Sequence, residues 1–185
     1  MEGVIKPMEA KYLLPSLTLV EEVFTAWRDP AEGRTVRRLV EEIRSKRWYL
    51  PELELVMVSE ADEVIGYAMF SLFHIEGRYE DELLLLTPVA VKTALQRQHI
   101  SKELIEHGLA KAAAMGFTAV LVEGNPANYR ARGFRTSADY GILPGANVHL
   151  PRIECLMVCE LVPGALEHIH GEVDYGFYDA LKSEE

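Results

Sequence analysis

Apolar positions first recur at helical spacing. Leu19, Val20, Val23, Phe24 and Trp27 fall on one face of a helix for which Ser16 is the expected cap. Asp29-Pro30-Ala31-Glu32 ends that helix and opens a second, because a carboxylate cap, a proline at the first helical position and a glutamate at the third are each start signals. The second apolar stripe is Val36, Leu39, Val40 and Ile43. Arg37, Arg38, Arg44, Lys46 and Arg47 decorate this helix and read as a solvated face.

From Leu53 the period shortens to two. Residues 53–59, a turn at 60–63 and the branched and aromatic residues 64–75 predict a hairpin. A third strand at 82–91 contains Pro88, which cannot donate to a ladder and so marks a bulge or a place where neighbouring strands part. Residues 101–115 return to helical spacing and are expected to bury Leu104, Leu109, Ala112 and Met115, with Gly116 suited to the left-handed conformation that ends such a helix. A short buried strand at 117–122 follows. Strand, helix and strand in this order predict parallel neighbours joined by a right-handed crossover, with the helix opening at the carboxyl end of the first strand. Anions bind there in such folds. The remainder predicts a turn of helix at 125–132, a loop at 137–150, a strand at 153–161 and a strand-like piece at 171–175. The pattern is that of an α/β (α+β) protein, and 185 residues fit a single domain, 1–185.

Composition narrows the function. Hydrophobic residues make up 49% of the chain against 26% charged, ample for a packed core. A net charge of -10 argues against a nucleic-acid partner, since gripping phosphate backbones needs clustered Lys and Arg. The start of the chain lacks a basic segment leading into an apolar run, and no eighteen apolar residues are contiguous. The expectation is a soluble, cytoplasmic protein with no membrane partner. On one strand, Cys155 and Cys159 would share a face roughly 13 Å apart, beyond disulfide reach, and neither has zinc-ligand spacing. His168 and His170 could bind a metal only if a third ligand converged on them, and no metal is expected.

Two stretches carry chemistry. Leu86-Thr87-Pro88-Val89-Ala90-Val91 is followed closely by Gln96-Arg97-Gln98-His99-Ile100-Ser101-Lys102, which resembles the acyl-coenzyme A motif Q/R-x-x-G-x-G/A of the GNAT superfamily of N-acetyltransferases. Gly124-Asn125-Pro126-Ala127-Asn128-Tyr129-Arg130-Ala131-Arg132-Gly133-Phe134 is similar to that family's G-D-P-x-Y-Y-x-R-F-G-F. Leu161-Val162-Pro163-Gly164-Ala165-Leu166 resembles the tail of its YhbS-like branch. The resemblance implies a GNAT fold, a mixed twisted sheet of about six to seven strands flanked by helices, with acetyl-CoA as co-substrate at a central strand splay. It implies direct transfer of an acetyl group to a primary amine of a small molecule or peptide. A homodimer is compatible with it.

The resemblance also assigns roles. Backbone groups of Val89, Ala90 and Val91 would pair with the pantetheine arm as a substitute strand. Gln96, Arg97, Gln98, His99, Ile100, Ser101 and Lys102 would cradle the pyrophosphate at a helix N-terminus, where unpaired amides and the macrodipole favour an anion. Asn125 and Tyr129 would complete the site, with Tyr129 as general acid toward the departing thiolate. An acceptor amine of pKa about 10.4 is neutral only about 0.04% of the time at pH 7, so a base is wanted. Glu82 and Glu123 are the nearest carboxylates by topology; of the two Glu123 is the choice, and a water relay is the favoured alternative to either carboxylate. His99 and Ser101 stand where the family has glycines, Asn125 where it has aspartate and Asn128 where it has the first tyrosine. These departures leave an alternative, a catalytically weakened GNAT-like module serving as ligand sensor or dimerisation partner. The acceptor is expected between residues 28–34 and 142–152, and the acidic balance favours a cationic one.

Overall fold

The computed structural model describes residues 3–182, so the first two and last three residues of the expected domain lie outside the described residues. The chain runs β1 (Val4–Pro7), α1 (Leu13–Trp27), α2 (Pro30–Arg44), β2 (Glu54–Val58), β3 (Val64–Leu72), β4 (Leu83–Val91), α3 (Ile100–Ala114), β5 (Ala119–Glu123), α4 (Pro126–Tyr129), β6 (Phe134–Thr136), β7 (Ile142–Pro144), β8 (Leu156–Glu160) and β9 (Gly171–Val173). Seven strands form one mixed sheet in the order β1-β2-β3-β4-β5-β8-β6, antiparallel except where β4 runs parallel to β5. A small parallel pair, β7 and β9, stands apart from it.

Both faces of the sheet are covered, and this explains the nearly continuous apolar runs of its central strands. Leu83 and Leu85 of β4 pack on the face carrying α1 and α2, with Val20, Val40 and Ile43. Leu84 and Leu86 pack on the other face with Leu104, Leu109 and Ala112 of α3. Gly116, at φ 96°, ends the α3 region as expected. Met115 differs, being 41% exposed, because it lies past the last core-facing turn.

Several expectations are corrected. Ser16 is not a cap: a 3-10 turn at Ala10–Tyr12 leads into α1 at Leu13, and Ser16 is fully buried inside the helix, donating to the Leu13 carbonyl at 2.9 Å. Asp29 does cap α2, accepting from the Glu32 amide at 2.8 Å. Arg44 is not a solvated residue. Its Nε meets the fully buried Glu54 carboxylate at 2.8 Å, and its Nη2 donates to Ser16 Oγ at 2.8 Å. The hydroxyls of Tyr67 and Tyr49 also donate to Glu54, at 2.5 and 2.6 Å. A buried carboxylate needs this many donors. The network fixes α1 and α2 to β2 and β3, and so sets where the end of α1 lies.

The expected loop at 137–150 contains a 3-10 turn at Ser137–Tyr140 and β7, while β6 just before it was not expected at all. Both strands are three residues long and owe their form to distant partners, β8 for β6 and β9 for β7. The expected strand at 153–161 begins later, at Leu156, after a 3-10 turn at Ile153–Cys155. Cys155 and Cys159 therefore do not share a strand, although both are buried and free.

Candidate active site

The site begins where two strands part. β4 pairs with β5 from Leu83↔Ala119 to Leu86↔Val122 and no further. Against β3 its register shifts around Pro88 and then resumes with Val89↔Ala68, Ala90↔Tyr67 and Val91↔Gly66. The edge of residues 89–91 facing β5 consequently has no strand partner. A cleft of about 770 Å³ opens there, lined by Val89 and Val91, the start of α3, the α4 segment and, across from them, Val23, Phe24 and Trp27 of α1.

The entry to α3 is an unusual piece of backbone. Arg97 (φ 63°) and His99 (φ 65°) are both left-handed, a region L-residues seldom adopt. The first helical bond here is from the Glu103 amide to the His99 carbonyl at 3.0 Å, so the amides of Ile100, Ser101 and Lys102 precede the ladder and have no intrahelical acceptor. Together with the dipole of a 15-residue helix they make a receptor for an anion. Charge agrees. Although the chain carries -10 overall, no Asp or Glu lines the cleft, whereas Arg97 and Arg132 do.

Of the residues expected to bind cofactor, Val89, Val91, Gln96, Arg97, His99, Ile100, Ser101, Asn125 and Tyr129 line the cleft. The Val91 carbonyl is not free, since Gln96 Nε2 donates to it at 3.3 Å. Ala90 turns to the α1 face of the core, as strand alternation requires after Val89. Gln98 is exposed outside the cleft lining, and the Lys102 side chain leaves the cleft for Glu106 at 3.9 Å, so their side chains are corrected out of the site. Asn125 spends its side-chain oxygen on the Ala127 amide, at 3.0 Å, as the cap of α4. His99 is exposed on the cleft lining.

Residues 20–137 match the sequence profile of the acetyltransferase (GNAT) family. The chain belongs to this family. It is 29% identical over 148 residues to an uncharacterized N-acetyltransferase, YhbS, of Escherichia coli strain K12, covering 78% of this chain and 83% of that one. The crystal structure of Escherichia coli YhbS in complex with CoA superposes with a TM-score of 0.80 at 23% identity, over 93% of this chain and 88% of that one. A GNAT family acetyltransferase from Brucella melitensis, in complex with acetyl-CoA, superposes with a TM-score of 0.73 at 22% identity, over 98% of this chain and 99% of that one. The mixed sheet and its splay are those of the GNAT fold.

On this GNAT frame one of the two expected catalytic groups, Tyr129, lines the cleft and the other, Glu123, does not. The Tyr129 ring packs edge-on against Phe134, centroids 5.5 Å apart, and lies over Gly124, where a Cβ would come within 2.6 Å of it. Its hydroxyl has no hydrogen bond among the described residues, and burial pushes its pKa up to about 12. Glu123, one residue past the last β4–β5 pair, is outside the cleft lining. The side chain accepts from the Tyr175 hydroxyl at 3.0 Å, and burial holds its carboxyl above the usual carboxylate range. Glu82 stands at the other end of β4, outside the cleft lining, and bonds His168 and Thr118. The expected acceptor loop at 142–152 contributes nothing to the cleft lining, and on the helical side the wall is the end of α1. Sequence reasoning missed Trp27 as a cleft residue, taking it for core: it is 65% exposed, with the Arg28 guanidinium 5.1 Å over its ring. It also missed Arg132 and Tyr175. A cation in an otherwise apolar motif position was the available signal for Arg132.

Proposed function

We propose that this protein transfers an acetyl group from acetyl-CoA to a primary amine by direct attack. The observation that carries the reading is the cleft at the strand splay, bare of carboxylates in an acidic chain and headed by the open amides of α3. Those amides receive the pyrophosphate, and the unpaired edge of residues 89–91 lies alongside the peptide-like arm. The cofactors bound by the YhbS and Brucella neighbours support this placement. The chain's net negative charge does not extend into the cleft lining, so nothing there selects among amines.

In the reaction the amine nitrogen attacks the thioester carbonyl, a C–N bond forms, and the C–S bond breaks. Glu123 takes the proton of the incoming ammonium through water, and its raised pKa makes it a stronger base for that purpose. Tyr129 faces the sulfur. With its pKa at about 12, full proton transfer to a thiolate of pKa about 8.5 would be uphill by roughly 5 kcal/mol. Tyr129 therefore acts by donating a hydrogen bond to the charge growing on sulfur, and the proton shed by the amine completes the thiol.

The test has two parts. Thermal unfolding with acetyl-CoA should shift upward, by a stabilisation of about 2.7 kcal/mol at a hundredfold excess over Kd. Thiol release should then depend on added amine, with no acetylated enzyme intermediate by mass spectrometry. No shift at millimolar acetyl-CoA would refute the reading. No specific observation favours the non-catalytic module.

A further inference from the structure

Arg132 is a cation without an anion. Its Nε is buried with no hydrogen-bond partner, and no carboxylate pairs with it among the described residues. Arg37, Arg44 and Arg47, by contrast, each meet a carboxylate oxygen within 2.8 Å. A buried N–H that lacks an acceptor destabilises the fold unless something absent from the free protein accepts from it. Arg132 also lines the cleft, on the 3-10 turn Arg130–Arg132 that continues α4 and packs against α3. In the family pattern similar to this stretch, x-R-F-G-F, the arginine comes one residue earlier and an aromatic stands where Arg132 is. In this chain the family's arginine position is Ala131, flanked by Arg130 and Arg132, and of these two arginines it is Arg132 that lines the cleft.

We infer that Arg132 anchors a phosphate of the coenzyme, its side chain turning on the cleft wall so that Nε, closed off in the ligand-free protein, donates with an Nη to phosphate oxygens. A guanidinium suits that role because its planar fork matches two oxygens at once, and a phosphate brings the acceptor that Nε lacks. Arg97, the other cation of the cleft lining, is exposed at the loop, so the two guanidinium groups approach an anion from different elements. The inference rests on the acetyltransferase reading above. Pyrophosphate and ribose phosphate share the chemistry, and the probes below separate them.

Calorimetric titration of wild type, Arg132→Met and Arg132→Lys with acetyl-CoA, acetyl-dephospho-CoA and S-acetylpantetheine tests it. Affinity of the Met variant for acetyl-CoA should fall roughly 10- to 100-fold, with Lys recovering part of the loss and with a shallower dependence of affinity on salt. Loss retained with the dephospho probe assigns the pyrophosphate, and loss abolished by it assigns the ribose phosphate. Without ligand, Arg132→Met should melt no lower than wild type, since the substitution removes an unsatisfied buried group, and this separates lost binding from lost folding. Equal affinity of wild type and Met variant for acetyl-CoA would overturn the role of Arg132 while leaving the acetyltransferase reading intact. So would an equal loss with S-acetylpantetheine, which has no phosphate. Failure of wild type itself to bind acetyl-CoA would overturn both.

Discussion

His99 stands where the family pattern has glycine, and the backbone shows what that glycine does. At φ 65° and ψ 10° His99 is in the left-handed region immediately before α3, a conformation that costs an L-residue about 1–2 kcal/mol. Replacing it by glycine removes that strain but adds about 0.5–1 kcal/mol of unfolded-chain entropy. The net expectation for His99→Gly is a gain of roughly 0.5–1 kcal/mol over His99→Ala, which keeps the strain and loses the imidazole. For a protein of this length, 1 kcal/mol corresponds to about 2–4 °C in Tm. Thermal unfolding of the ligand-free wild type, Gly and Ala forms should therefore place Gly above Ala by about 1–4 °C. Coenzyme A affinity, measured by calorimetry, should hold or tighten in the Gly form because the amides of residues 100–102 keep their placement. A Gly form that melts at or below the Ala form would refute the assignment of strain to this residue.

Tyr129→Phe should keep coenzyme A affinity, because the ring contact with Phe134 remains, and lower kcat by roughly a hundredfold in a thiol-release assay. Equal kcat in both forms would end the hydrogen-bond role of the hydroxyl. Glu123 has a folded pKa above its unfolded value, so the native state binds more protons and its ionisation weakens the fold as pH rises through the window from the unfolded to the folded pKa. Glu123→Gln should thus match wild type in urea unfolding below that window, exceed it in stability above, and turn over more slowly; a stability difference independent of pH would count against it. Arg44→Met leaves the fully buried Glu54 without its cation and should cost about 3–5 kcal/mol in urea unfolding, largely regained by adding Glu54→Gln. A loss below about 1 kcal/mol would show that the two tyrosine hydroxyls satisfy Glu54 unaided.

What could be read in advance was what local chemistry decides. Pro88 interrupts its strand wherever that strand sits, and Asp29-Pro30-Ala31-Glu32 starts a helix without help from the rest of the chain. The strand–helix–strand order put the mouth of α3 beside the splay. The misreadings share a different cause, which is that a distant partner decides the outcome. Arg44 looked solvated because only the folded protein brings it to Glu54, 10 residues on, and to Ser16, 28 residues back. β6 and β7 are too short to show a period, and Trp27 keeps the spacing of a core residue although it faces the cleft at the end of α1. Arg132 sat inside a motif already in view, yet its charge acquires meaning only once the cleft wall is seen.

Some of this fold's unfavourable features meet at the cleft, although others lie elsewhere: Asp62, Glu76 and Tyr79 are also left-handed, and Trp48 Nε1, Ser71 Oγ and the Tyr178 hydroxyl are also buried without a partner. Arg97 and His99 hold strained backbone, Arg132 Nε lacks an acceptor and the Tyr129 hydroxyl lacks a partner, and all four residues line the same cleft. Outside the cleft lining the buried charge Glu54 is matched by three donors. If the cleft features were accidents of packing, they would persist unrelieved in every state of the protein. If they are complementary to a ligand, each is relieved when it binds: a phosphate accepts from Arg132 and the α3 amides, and a sulfur accepts from Tyr129. The second account requires ligand-free protein to exchange its amides at 97–102 and 129–132 faster than the sheet does, and acetyl-CoA to protect those two segments together. Hydrogen exchange with and without acetyl-CoA reads this directly, and protection confined to one segment would break the link between the strained loop and the unpaired arginine.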